Sequence, residues 1–106
     1  MRYKIMMQID KNTKYIIRAD RAGVFFGNVE DYSPETGVVT MTNCRRVWYW
    51  DGAASLSQLA TEGTNNKREC KFTVTVAQMM IAGVIEIIPC TDAAVKSING
   101  VSEWKR

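Results

Sequence analysis

At 106 residues, 46% of them hydrophobic and 24% charged, the chain has the size and balance of a single globular domain spanning 1–106 and not those of a disordered segment. Its 14 Lys+Arg against 11 Asp+Glu leave a net charge of +3, which suits contact with phosphates but is too small to mark a DNA binder by itself. Histidine is absent, which excludes Ser-His and Cys-His nucleophile pairs, imidazole bases and His-ligated metal within one chain.

The first expected element is a short apolar strand, Tyr3 to Ile9, closed by the polar turn Asp10–Lys14. Its apolar run, Ile5-Met6-Met7, is too short for a secretory signal. No later stretch approaches the ~20 apolar residues of a bilayer span. No membrane contact is expected, and the cytoplasm is the expected location.

Tyr15 to Arg18 reads as a second strand, and Asp20-Arg-Ala-Gly23 as a turn into an apolar-aromatic strand, Val24 to Glu30. Gly27 inside that strand marks a bulge or a close backbone approach. Ser33-Pro34-Glu35-Thr36-Gly37 is the clearest turn, so Val38 to Thr42 is expected to pair antiparallel with Val24 to Glu30. Asn43-Cys44 breaks or bulges the run before Arg45 to Trp50.

Ser55 and Gln58 have capping-box spacing for a short helix ending at Gly63. A polar loop, Thr64 to Glu69, follows. Phe72, Val74 and Val76 alternate with Lys71, Thr73 and Thr75, the pattern of a strand buried on one face. Gln78 to Ala82 is ambiguous. Val84 to Ile88 is a strand carrying Glu86, and Thr91 caps a last helix, Asp92 to Ile98, stopped by Asn99-Gly100. The fold class is α+β: a small antiparallel β-meander of about six or seven strands with two short helices.

Cys44, Cys70 and Cys90 are odd in number and widely spaced, so they read as reduced, half-buried thiols and not as a disulfide framework. They are too few for a zinc site. Glu86 lacks a second carboxylate at convincing spacing and is expected to face solvent or pair with an arginine such as Arg45. A non-enzymatic protein without cofactor or metal is expected.

Arg45-Arg46-Val47-Trp48-Tyr49-Trp50-Asp51-Gly52 carries the strongest functional pattern. If extended, it puts Arg46, Trp48 and Trp50 on one side and Arg45, Val47, Tyr49 and Asp51 on the other. Guanidinium beside an aromatic ring suits a nucleotide, whose base stacks on the ring while arginine forks onto phosphate. The bland alternative is that one face is core and the arginines snorkel to water. The start of the following helix is a weak anion site, because Asp51 repels phosphate unless turned away and Ser55 reads as a simple cap. Lys67, Arg68 and Lys71 form a second basic group, read mainly as a solvated loop. Arg18 and Arg21 flank the first hairpin turn and could converge on the same ligand. Trp104, in the basic aromatic tail, reads as a lid or an oligomer contact. The candidate ligand-binding residues are therefore Arg45, Arg46, Trp48, Trp50, Arg18, Arg21 and Lys71.

Arg45-Arg46-Val-Trp-Tyr-Trp-Asp-Gly-Ala-Ala-Ser-Leu-Ser-Gln-Leu-Ala60, with Cys70 to Val76 and Val84 to Thr91, resembles a family of small proteins of tailed phages and prophages that largely lack a known function. The resemblance covers most of Val24 to Ile98 and implies a phage origin and the host bacterial cytoplasm. In size, compartment and basic-aromatic content the chain is also similar to phage sponge proteins that sequester nucleotide signals of anti-phage immunity (anti-Thoeris and anti-CBASS proteins). That similarity implies a homo-oligomer holding a small anionic nucleotide, a cyclic nucleotide or an ADP-ribose derivative, between subunits. Alternatives are a single-stranded nucleic-acid binder, which the modest charge disfavours, and a protein–protein inhibitor or minor virion component.

Overall fold

The computed structural model describes residues 8–106, so most of the expected first strand, Tyr3 to Ile9, lies outside the described residues. The described strands are β1 (Lys14–Ala19), β2 (Gly23–Ser33), β3 (Val38–Tyr49), β4 (Lys71–Phe72), β5 (Val76–Ile81) and β6 (Val84–Pro89). Helix α1 (Leu56–Glu62) follows β3, and α2 (Asp92–Asn99) follows β6. Every strand pairing is antiparallel, which gives the α+β fold with two short helices that the pattern predicts.

The long β2–β3 hairpin organises the molecule. Its turn forms as expected: the Gly37 N–H donates to the Ser33 carbonyl at 2.8 Å, and Gly37 takes a φ of 71° that its missing Cβ permits. Halfway along, the register between Phe26 and Asn28 slips, and Asn43 opposite lies in the left-handed region at φ 48°. Gly27 is required there, because a Cβ would stand 2.9 Å from both the Asn43 carbonyl oxygen and the Cys44 Cα. The glycine thus marks both a bulge and a close approach.

This crease divides the hairpin between two layers. The first half of β2 carries β1, which in turn carries β6; the first half of β3 carries β5. Consecutive strands therefore neighbour one another as far as β4, which pairs with the end of β3, whereas β5 returns to β3 and β6 to β1. The Ala82-Gly83 turn then takes the chain from β5 in one layer to β6 in the other. There Asp20 N–H donates to the Gly83 carbonyl at 2.8 Å, and Val84 N–H to the Gly37 carbonyl at 3.0 Å.

An inner core between the layers joins Tyr15, Ile17 and Phe25 to Val29, Val39, Met41 and Ile81. An outer core lies under the helices, where Ile16, Phe26, Val47 and Phe72 pack on Leu59, Ala60, Ala94 and Ile98. Both faces of β1 are covered, which is why Tyr15-Ile16-Ile17 reads as a continuous apolar run. Truncating a buried Phe such as Phe25 or Phe72 costs about 3–5 kcal/mol.

The helix caps follow the sequence signals. Gln58 N–H donates to Ser55 Oγ at 3.1 Å, while Gln58 Oε1 accepts from Ala54 N–H at 2.7 Å. Thr91 Oγ1 accepts from Ala94 N–H at 3.1 Å and donates to the Thr61 carbonyl at 2.6 Å, so one hydroxyl caps α2 and ties it to α1.

The strand expected across Phe72–Val76 is interrupted: β4 ends at Phe72, β5 begins at Val76, and Val74 between them is exposed. The ambiguous stretch Gln78 to Ala82 supplies most of β5. All three cysteines are free, with Cys44 and Cys70 buried and Cys90 half-buried. Burial pushes the Cys44 thiol up to about 11 and the Cys90 thiol up to about 12. Among the described residues no helix is long and apolar enough to cross a membrane.

Candidate functional site: an exposed tryptophan pair beside a basic cleft

The basic-aromatic strand ending β3 separates its residues into different environments. Arg45 turns inward, is only 6% exposed, and uses its guanidinium on backbone carbonyls. Nε donates to Thr73 O at 3.0 Å, Nη1 to Val101 O at 3.0 Å, and Nη2 to Phe72 O at 3.1 Å and Ser102 O at 3.5 Å. The carbonyls of Phe72 and Thr73 are thereby drawn toward Arg45, at the place where the expected strand is interrupted. Arg45 is thus not the partner of Glu86. It fastens the C-terminal segment to β3.

Arg46 lies on the other side, half-buried, with its guanidinium carbon 4.8 Å from the centroid of Phe25. Its Nε is buried without a hydrogen-bond partner among the described residues. Trp50 does not share a face with Trp48. Strand β3 ends at Tyr49 and its register with β4 slips after Val47, so alternation stops there and Trp50 packs partly on the outer core. Trp50 instead lines a shallow hollow with Arg18 and Glu86. In that hollow Arg18 Nε lies 3.1 Å from Glu86 Oε1, and both side chains are substantially exposed. Arg21 sits elsewhere, in the hollow formed by Asp20, Ala22, Ala82 and Gly83. Arg18 and Arg21 therefore do not converge.

Trp48 and Lys71 do come together, on a residue the strand pattern did not pair with them. Trp48 is 57% exposed and stacks on Trp104, itself 39% exposed, with ring centroids 4.8 Å apart and planes at 29°. Lys71 Nζ lies 5.3 Å from the Trp48 centroid and 5.5 Å from that of Trp104, within cation–π range of both. The tail is held in place by Trp104 N–H donating to Phe72 O at 2.8 Å, alongside a parallel bridge of Phe72 with Glu103. Sequence reasoning noted Trp104 as a tail aromatic. Its pairing with Trp48 depends on Arg45 and Phe72 fixing a segment far along the chain, which no local pattern encodes.

A cleft of about 410 Å³ opens beside Trp104, walled also by Lys67, Arg68 and Glu103. The Lys67 stem crosses Gly100, its Cε 3.0 Å from where a Cβ would stand. The group read as a solvated loop therefore forms one side of a concave surface ending in an aromatic ring. Two cations face one acid, and Glu103 also lies 3.8 Å from Lys105. A flat ring face adjoining positive charge can accept a stacked base and an anion side by side.

The start of α1 adds nothing to this surface. Asp51 is turned away, its Oδ2 accepting from Asn66 Nδ2 at 2.7 Å, and the capping box takes up the N–H groups of Gln58 and Ala54.

Residues 12–98 match the family model described as Domain of unknown function (DUF6948), from just before β1 to the penultimate residue of α2 and short of Trp104. No curated protein and no solved structure matches the chain. Since the matched stretch covers most of its length, the chain belongs to the DUF6948 family.

Proposed function

We propose that this protein is a non-catalytic binder that sequesters a small anionic nucleotide, and that it is phage-encoded and acts in the host bacterial cytoplasm against nucleotide-signalled defence. The exposed Trp48–Trp104 stack with Lys71 over its rings, beside the Lys67–Arg68 cleft, carries the reading. A base stacks on the free face of Trp48, and phosphate oxygens meet Lys71, Lys67 and Arg68. Recognition proceeds by burial and charge-assisted hydrogen bonds, with no bond broken. The phage origin rests on the resemblance of the Arg45–Ala60 region described above.

Magnitudes favour an oligomer. A stacked base contributes about 1–3 kcal/mol and each charge-assisted hydrogen bond about 1.5–3 kcal/mol, against an association cost of roughly 4–15 kcal/mol. An open platform therefore holds a mononucleotide weakly, and enclosure between two copies raises the affinity to a sequestering level. Sedimentation with and without ligand reads this directly.

Isothermal titration against cyclic nucleotides and ADP-ribose isomers tests the assignment. Saturable binding to at least one member is expected, and silence across the panel overturns it. The exposed indoles also suit a single-stranded nucleic acid, which would instead show affinity rising with oligonucleotide length and falling steeply with salt.

A further inference from the structure

A second cleft, of about 380 Å³, lies on the other flank of the C-terminal segment, sharing only Ser102 and Glu103 with the cleft beside Trp104. Its floor includes Phe26 and Val101, both buried. Its rim gathers Lys14, Asn43, Thr75, Asn99 and Ser102. Among the described residues none of these five side chains makes a hydrogen bond or ion pair with the protein. Polar side chains converging over an apolar floor are the usual make-up of a ligand pocket.

The charge balance in this cleft is positive. Lys14 is half-buried with its Nζ 5.6 Å from the centroid of Phe26, and desolvation lowers its pKa. Arg45 forms part of the wall; its hydrogen bonds go to neutral carbonyls, and of its charged neighbours Glu103 acts on it, so Lys14 and Arg45 together still outnumber the one acid. The acid on the rim, Glu103, has Lys105 as its ion-pair partner at 3.8 Å. Asn43 is held here at φ 48°, a backbone state that glycine would take with less strain, and it lines the cleft.

We infer that this cleft is a second ligand site, distinct from the tryptophan platform, that takes the phosphoryl group of a small phosphate ester. Lys14 supplies the compensating charge, and the amides of Asn43 and Asn99 with the hydroxyls of Thr75 and Ser102 donate to the phosphate oxygens. The site does not depend on the nucleotide reading of Trp48 and Trp104.

The test is an amide-resolved NMR titration of the full chain with inorganic phosphate and with ribose 5-phosphate, with ribose as the uncharged control. Saturable shifts of the Asn43 and Asn99 side-chain amides with both phosphates and not with ribose are expected. Lys14→Met should weaken them about tenfold or more, the worth of one charge-assisted hydrogen bond, while Trp48→Ala leaves them unchanged. Asn43→Gly provides an independent check: it relieves the backbone, so thermal stability holds or rises while phosphate affinity falls. Absent shifts, or shifts spread over the basic surface and indifferent to Lys14→Met, overturn the assignment.

Discussion

Arg45 and Trp48 stand three positions apart on one strand, and the regions around them use the same chemistry to opposite ends. Around Arg45, a cation and an aromatic ring (Phe72, 5.4 Å away) are closed into the fold, and the guanidinium is committed to carbonyls from two distant segments. Around Trp48, a cation and two rings stand largely in solvent, their side chains stacked on one another. A basic-aromatic motif therefore does not by its composition mark a binding surface. What decides is whether its donors and ring faces are already occupied by the chain itself.

Replacing Arg45 by Met breaks that contrast most severely. The loss leaves several carbonyls without their charged donor, and destabilisation of about 3 kcal/mol or more is expected from denaturant midpoints. The released tail should also lose Trp104 from the stack, seen as a loss of Trp–Trp coupling in circular dichroism. An Arg45 variant of native stability would show that the clamp is ornamental.

High pH comes next in size and also acts on the closed region. Cys44 and Cys90 hold their protons more tightly when folded, at about 11 and about 12 against an ordinary 9.0, with burial as the main cause. Their contribution is complete below about pH 9 and is lost as pH rises toward 11 and 12, so unfolding midpoints should decline across that window. Cys44→Ala should remove part of the slope. A flat profile would contradict the burial of these thiols.

The platform should behave in the reverse manner. Trp48→Ala is expected to change stability by about 1 kcal/mol or less, since it forfeits one exposed stacked pair, yet to abolish nucleotide binding in calorimetry. The smallest effect belongs to Arg18→Ala: its ion pair with Glu86 is solvated, and a change within about 0.5 kcal/mol is expected.

The distinction between local and distant causes also explains what could be read in the sequence. The Ser33–Gly37 turn and the caps at Ser55 and Thr91 are dictated by neighbours a few positions away and are legible; the crease is legible too, through the residue types Gly27 and Asn43, although the two meet across the hairpin 16 positions apart. The interruption after Phe72 is not, because Arg45, 27 positions away in sequence, takes its carbonyl. Strand alternation misplaces Trp50 because β3 ends at Tyr49. Of the candidate site residues, Trp48 and Lys71 meet, while Arg45, Arg46, Arg18 and Arg21 lie apart; Trp104 joins the pair only because the tail is folded back.

The most direct test of the contrast is a fluorescence titration of a Trp50→Phe variant, whose remaining indoles are the stacked pair. Titrated with the nucleotide that binds in calorimetry, its emission should be quenched to saturation, and adding Arg46→Lys should leave the midpoint unchanged whereas adding Lys71→Met should raise it. Unchanged emission in the presence of a bound nucleotide would place the ligand elsewhere and leave the tryptophan pair without a guest.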